Sequence, residues 1–60
     1  MKKTEIKELE NEIVNDEIFL KIEESEDVAG MENCGTSGLD RRYNLWVVTL
    51  VDGTEIEILA

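Results

Sequence analysis

Hydrophobic positions in the first quarter of the chain recur at helical spacing. Ile6, Leu9 and Ile13 lie on one stripe, separated mostly by Lys and Glu residues that favour helices, and Thr4 is a candidate N-cap. This pattern predicts a helix over about residues 4–14.

After residue 16 the hydrophobic period becomes two. Ile18, Leu20 and Ile22 alternate with neighbours that include Glu17, Lys21 and Glu23, the pattern of a half-buried strand. We therefore predict a strand over about residues 17–23. Ser25 then precedes two acidic residues suited to the positive end of a helix dipole, and Gly30 can end a helix, which predicts a short second helix between them.

The middle of the chain has the composition of a loop, with three glycines in the nine residues from Gly30 to Gly38. We predict a loop over about residues 30–40. It separates the first half of the chain from a second half with a stronger structural pattern.

The second half predicts a β-hairpin over about residues 43–59. Two runs rich in Val, Ile, Leu and aromatic residues flank Asp52-Gly53, a dipeptide favoured in two-residue type I′ turns. In the first run Leu45, Val47, Thr49 and Val51 face one side, and Trp46, Val48 and Leu50 the other, so both faces are apolar. We expect one face to pack on the N-terminal helix and the other to receive the short helix, a second subunit or a partner.

These elements together predict an α+β fold. It comprises an N-terminal helix, then a small antiparallel sheet of about three strands ending in the C-terminal hairpin, with a short second helix. We expect residues 1–60 to form a single small domain, since a chain of 60 residues supports one domain at most and has marginal stability.

Charge is distributed unevenly along the chain. The 15 acidic and 6 basic side chains, with no histidine, give a formal charge of −9. Residues 5–32 alone carry 11 acids against two lysines, and the remaining residues sum to zero. A negative surface repels phosphate backbones and anionic lipid headgroups, so we expect no direct nucleic-acid or membrane binding.

The inventory of reactive side chains is poor. Cys34 is the only cysteine and there is no histidine, so the usual proton shuttle and the standard zinc sites are missing. We predict a non-enzymatic protein with no catalytic residue, metal or cofactor. The single cysteine and the absence of an apolar segment near Met1 favour a cytoplasmic location.

The acidic residues surround the predicted strand at residues 17–23. Several carboxylates standing beside apolar side chains can imitate the phosphates and bases of a nucleic acid to a protein that binds one. This arrangement predicts an acidic face that a nucleic-acid-binding protein could bind as a mimic of DNA. A solvated acidic face with no partner fits the composition equally well.

Two segments resemble the phage uracil-DNA glycosylase inhibitor family, which consists of small acidic proteins that mimic DNA. Asp16-Glu17-Ile18-Phe19-Leu20-Lys21-Ile22-Glu23-Glu24-Ser25-Glu26-Asp27-Val28-Ala29-Gly30 is similar to that family's acid-led first strand and acidic helix. Tyr43-Asn44-Leu45-Trp46-Val47-Val48, followed by Ile56-Glu57-Ile58-Leu59, is similar to its C-terminal hairpin. The chain departs from the family at Ile22, where the family has proline, and at Ser25, and it is too short for the two central strands.

The resemblance implies a small, phage-like acidic inhibitor or decoy that binds a host nucleic-acid-processing enzyme, with uracil-DNA glycosylase as the first candidate, by presenting a carboxylate face that mimics DNA. It also implies roles for individual residues. The family's strand-leading glutamate falls on Asp16, with Glu17 beside it, and the helix glutamates fall on Glu24 and Asp27. A pocket for the enzyme's DNA-intercalating leucine would use Leu20, Val28 and Ala29. Together, the acidic strip and the resemblance predict as partner-binding residues Asp16, Glu17, Leu20, Glu23, Glu24, Asp27 and Val28.

Two other classes of function fit the same sequence. A small interaction or regulatory module could homodimerise through the hairpin, because both faces of its first strand are apolar. Alternatively, the chain could be a precursor peptide in which the acidic segment ending at Gly30 is a leader and the core contains Cys34, Thr36 and Ser37.

Overall fold

A computed structural model describes residues 1–60 and confirms the α+β class. Two helices, α1 (Lys3–Lys7) and α2 (Asp16–Glu23), precede three strands, β1 (Val28–Thr36), β2 (Asn44–Leu50) and β3 (Glu55–Leu59). The strands form an antiparallel sheet in the order β1-β2-β3, and β2–β3 is the predicted C-terminal hairpin. Neither helix is long and apolar enough to cross a membrane.

The first helix is shorter than the prediction of residues 4–14. It is capped at Lys2, whose N–H donates to the Glu5 carboxylate at 3.2 Å, so Thr4 lies inside the helix and is not its cap. The helix ends at Lys7, and the turn after it closes at Asn11, which has a φ of 64°. This left-handed conformation is compatible with asparagine and incompatible with a continuing right-handed helix.

Beyond that turn, the chain lies along the outer edge of β3. The N–H of Val14 donates to the carbonyl of Leu59 at 2.9 Å, and the N–H of Leu59 donates to the carbonyl of Glu12 at 3.0 Å. Ile13 pairs with Leu59 in parallel. The prediction of helix at residues 12–14 is therefore wrong, because their backbone groups pair with an otherwise exposed sheet edge.

The predicted strand at residues 17–23 is wrong as well: this segment is α2. The Asn15 side chain accepts the N–H of Ile18 at 2.9 Å and caps the helix. In the helix Ile22 is fully buried, Ile18 and Phe19 pack against the core, and Leu20 is 55% exposed. Apolar residues in this segment fit both the two-residue period of a strand and the three-to-four-residue period of a helix, so the sequence was ambiguous. The helix is favoured because it buries Phe19 together with Ile18 and Ile22.

The predicted short helix and most of the predicted loop are replaced by a turn and β1. The Ser25 hydroxyl accepts the N–H of Asp27 at 3.2 Å and donates to the carbonyl of Met1, so it stabilises a turn. Strand β1 follows and has irregular pairing with β2 near Val28 and again before Thr36. Gly35, at a φ of 91°, provides the backbone conformation that the second irregularity uses.

The hairpin loop differs from the predicted two-residue turn. The N–H of Gly53 donates to the carbonyl of Leu50 at 2.9 Å, and Gly53 has a φ of 89° whereas Asp52 has no positive φ. This is a three-residue loop with a left-handed glycine at its end. It pairs Val48 with Ile56 and Trp46 with Ile58.

Both helices pack on one face of the sheet. The core consists of Ile6, Val14, Ile22, Val48, Leu50, Ile56 and Ile58. Phe19 of α2 meets Trp46 of β2 edge to face, with ring centroids 4.9 Å apart. The expectation that one face of β2 packs on the N-terminal helix is met by the face that carries Trp46, Val48 and Leu50, and α2 covers the same face.

Candidate functional site

Five of the seven predicted partner-binding residues lie on the solvent-exposed side of α2. Leu20 is exposed, and four acidic residues stand three or four positions before and after it. Residues at these spacings are neighbours on a helix surface, with Cβ atoms about 5–6 Å apart. The helix thus surrounds one apolar side chain with carboxylates. We call this surface the α2 face and define it by Asp16, Glu17, Leu20, Glu23 and Glu24.

Most carboxylates of the α2 face have no cationic partner. Glu17 lies 3.6 Å from the Lys21 ammonium, and both side chains are more than half exposed, so the pair contributes little to stability. The other ion pairs of the protein use Asp40 and Asp52 and leave the α2 face untouched. The uncompensated negative charge of Asp16, Glu23 and Glu24 is available to a partner.

The remaining two predicted residues have structural contacts instead. Asp27 accepts the backbone N–H of Lys3 at 2.9 Å through its carboxylate, and its carbonyl accepts the N–H of Val51 at 2.9 Å. Val28 begins β1 and packs against the core. Asp27 therefore links the N-terminus, the hairpin loop and β1, and the structure does not bring these two residues onto the α2 face.

The segment that resembles the inhibitor family's first strand is helical here. Asp16 and Glu17 occupy the first turn of α2, and the pocket implied by Leu20, Val28 and Ala29 draws on a helix and on the first residues of β1. Leu20 faces solvent whereas Val28 packs inward. The strand-led arrangement that the resemblance implies is not present.

A second acidic surface, which the sequence did not single out, lies on the sheet face away from the helices. Val47 is directly opposite Glu32 on β1 and Glu57 on β3, and Thr49 is opposite Glu55. Directly opposed side chains project to the same face of a sheet. We call this surface the open face and define it by its central strip Leu45, Val47 and Thr49 and by its carboxylates Glu32, Glu55 and Glu57.

The open face has a shallow depression beside Val47. Its volume is about 310 Å³, and it is lined by Glu10, Asn11, Val47, Glu55 and Glu57. None of these three glutamates forms an ion pair. The alternation of Glu55 and Glu57 with Ile56 and Ile58 was the sequence signal for this surface, but only the pairing with β2 and β1 places Val47 and Glu32 beside them.

Two aspartates in turns have shifted pKa values. The N–H of Thr54 and the Lys7 ammonium, 2.9 and 3.1 Å from the Asp52 carboxylate, hold the pKa of Asp52 well below its usual range. Hydrogen bonds from Arg42 lower the pKa of Asp40, and the same contact raises the pKa of Arg42. Both aspartates stabilise turns.

Other candidate chemistry does not converge on a site. No three Asp, Glu, Cys or His side chains are grouped as ligands for a metal ion. Cys34 is exposed, and its thiol lies 3.9 Å from the Glu32 carbonyl. The features that distinguish the molecule are therefore its two acidic surfaces.

Three comparisons with known proteins found no match for this chain. No protein-family model matches it, and neither curated proteins nor solved structures contain a significant match.

Proposed function

We propose that the protein is a small, non-enzymatic acidic inhibitor or decoy that binds a nucleic-acid-processing enzyme of its host through a carboxylate face that mimics DNA. The observation that carries this proposal is the α2 face, where exposed Leu20 is surrounded by four carboxylates, three of them without a cationic partner. Surfaces that bind nucleic acid are rich in Lys and Arg, which these carboxylates complement.

In this mechanism the carboxylates occupy the sites of DNA phosphates, and Leu20 enters an apolar part of the enzyme's binding groove. Complementary charge accelerates association at low salt, whereas the desolvated apolar contact slows dissociation. The enzyme is blocked because protein and DNA compete for the same surface. No chemical step is required of the bound protein.

Uracil-DNA glycosylase is the first enzyme to test, because of the sequence resemblance. We expect inhibition that weakens as salt rises, and loss of inhibition in the double variant Asp16→Lys/Glu24→Lys. The matched control is Glu8→Lys/Glu12→Lys, which changes two exposed glutamates outside the α2 face and gives the same net charge. Asp27 is left unchanged because its carboxylate holds the N-terminus.

Affinity capture from a bacterial lysate, followed by mass spectrometry, tests the broader class of partner. The wild-type protein and the Glu8→Lys/Glu12→Lys control should retain a nucleic-acid-processing enzyme that the Asp16→Lys/Glu24→Lys variant loses. Equal recovery by all three baits, or recovery of no nucleic-acid-binding protein, would contradict the proposal.

A second candidate function is self-association through the hairpin. The partly exposed Leu45 and Val47 on the open face favour it, because uncovered apolar sheet surface is a frequent interface. Glu32, Glu55 and Glu57 on that face oppose a symmetric dimer, which would bring both sets of carboxylates together. Analytical ultracentrifugation at micromolar concentration distinguishes monomer from dimer.

A further inference from the structure

The open face lacks the covering layer that the opposite sheet face has. In the main core cluster, the side chains contributed by β2 and β3 come from the side packed by the helices, namely Val48, Leu50, Ile56 and Ile58. Leu45, Val47 and Thr49 of the central strand project the other way and remain only partly buried, although strands flank them on both sides. On the open face Leu59, which is opposite Leu45 at the end of β3, is buried. An antiparallel sheet that leaves one face in water usually has polar residues on that face, whereas β2 carries Leu45 and Val47 there.

The charges bordering this apolar strip oppose a second copy as its cover and favour a cationic partner. Glu32 flanks Val47 on the β1 side, and Glu55 and Glu57 flank the strip on the β3 side. None of them has a cationic partner within the protein. Two copies meeting face to face would oppose these carboxylates with no cation between them, whereas Lys and Arg side chains would neutralise them.

The dimensions of the open face suit one helix. Neighbouring strands lie about 4.8 Å apart, so Glu32 and Glu57 stand about 10 Å apart across Val47, close to the diameter of an α-helix with its side chains. Strand β2 has seven residues, about 23 Å, which is the length of a helix of about 15 residues.

We propose that the open face binds a basic amphipathic helix of a partner protein. The helix lies along β2, its apolar stripe covers Leu45 and Val47, and cationic side chains on its two flanks reach Glu32 on one side and Glu55 and Glu57 on the other. This surface is distinct from the α2 face and does not depend on the function proposed for it. With the partner's helix bound, the sheet would lie between two layers of helices.

The probe for this proposal is a synthetic 15-residue helical peptide with leucines on one stripe and lysines on both flanks. A peptide of the same composition with the leucines dispersed around the helix is the control for unspecific charge attraction. In titrations of ¹⁵N-labelled protein, the amphipathic peptide should shift the amide signals of residues 45–49 and 55–57 and bind at least ten times more tightly than the dispersed peptide.

Two protein variants with equal net charge locate the binding surface. Glu55→Lys/Glu57→Lys changes the open face, and Glu23→Lys/Glu24→Lys changes the α2 face by the same amount. All four side chains are exposed, so we expect both variants to fold, which circular dichroism verifies. The open-face variant should bind the amphipathic peptide at least tenfold more weakly, and the α2 variant less than threefold more weakly.

Three outcomes would overturn the proposal. They are equal affinity for the two peptides, equal weakening by the two variants, and signal shifts confined to α2. The last outcome would leave the function proposed for the α2 face intact. Conversely, the Glu23→Lys/Glu24→Lys variant could lose enzyme inhibition while the open-face variant keeps it. If Glu23→Lys/Glu24→Lys also binds the peptide as tightly as the wild type, this result would support two separate surfaces.

Discussion

Asn11 is the residue at which the chain leaves its first helical turns and joins the edge of the sheet. Its φ of 64° lies in the left-handed region, and its N–H donates to the carbonyl of Glu57 at 2.6 Å. Asparagine tolerates this conformation better than residues with an unbranched or branched aliphatic side chain.

We therefore predict that Asn11→Ala lowers the free energy of unfolding by about 1 kcal/mol. For a domain of this size that corresponds to a fall in Tm of about 4–8 °C. Asn11→Gly is the matched control and should retain or raise the Tm, because glycine adopts a positive φ without steric cost. Thermal unfolding followed by circular dichroism gives the comparison, and equal Tm values for the Ala and Gly variants would refute it.

Asp52 couples the hairpin loop to α1 through a titratable carboxylate. Its pKa is depressed by the Thr54 N–H and by Lys7, so the folded state binds fewer protons than the unfolded state as the pH falls. The stabilisation is complete above the unfolded-state pKa of about 4 and is lost as the pH decreases toward the lower folded-state pKa.

We predict that Asp52→Asn makes the stability less dependent on pH between about pH 5 and pH 2, because asparagine keeps an acceptor for the Thr54 N–H but does not titrate. Urea unfolding at a series of pH values measures this slope. Glu8→Gln, which removes a carboxylate that forms no ion pair, serves as the control. Identical slopes for wild type and Asp52→Asn would show that the loop contact does not carry the effect.

At the scale of the element, α2 shows how two hydrophobic periods compete in one segment. As a strand, the segment would place Leu20 and Ile22 on the same face, whereas as a helix it exposes Leu20 and buries Ile22 completely. The Asn15 cap and the edge-to-face contact between the Phe19 and Trp46 rings favour the helix.

Substitutions at these two positions distinguish the helix from the strand. Leu20→Ala should change the free energy of unfolding by less than about 0.5 kcal/mol, as is usual at exposed positions. Ile22→Ala should cost about 2–5 kcal/mol, and the milder Ile22→Val about 1 kcal/mol if the alanine variant does not fold. Chemical denaturation measures both, and equal losses at the two positions would point to a strand.

The hairpin loop decides which face of β2 receives Ile56 and Ile58. A two-residue turn at Asp52-Gly53 would pair Thr49 with Ile56 and place both isoleucines beside Val47. The three-residue loop instead pairs Val48 with Ile56. A shift of one residue exchanges the two faces of a strand, so this loop determines that the isoleucines enter the core and the glutamates reach the open face.

At the scale of the whole molecule, the charge is arranged differently in space than along the chain. The sequence divides into an acidic segment at residues 5–32 and a neutral remainder. In the structure Glu10 from the acidic segment lines a depression together with Glu55 and Glu57 from the neutral part. Folding thus extends the negative surface beyond the acidic segment.

This excess charge predicts that salt stabilises the protein. Only Glu17, Asp40 and Asp52 of the 15 acidic residues form ion pairs, so repulsion among the others outweighs the few attractions. Raising NaCl from 0.01 to 1 M shortens the Debye length from about 30 to about 3 Å. We expect the Tm to rise over this range, and less steeply in Glu55→Gln/Glu57→Gln. A fall in Tm would contradict this balance of charges.

The sequence by itself determined the features that depend on local pattern. The hairpin followed from two β-rich runs around Asp52-Gly53, and the α+β class from a helical stripe ahead of it. The two apolar faces of β2 were also readable, because alternation along a single strand requires no knowledge of its neighbours.

Only the tertiary structure decided the features that depend on contacts between distant segments. Residues 12–14 left the predicted helix because β3 offered an edge to pair with, and residues 16–23 became helical because Phe19, Ile18 and Ile22 could pack together under the sheet. The open face exists because Glu32, Val47 and Glu57 meet across three strands. Burial and cross-strand pairing are long-range interactions, so residue order alone leaves these choices open.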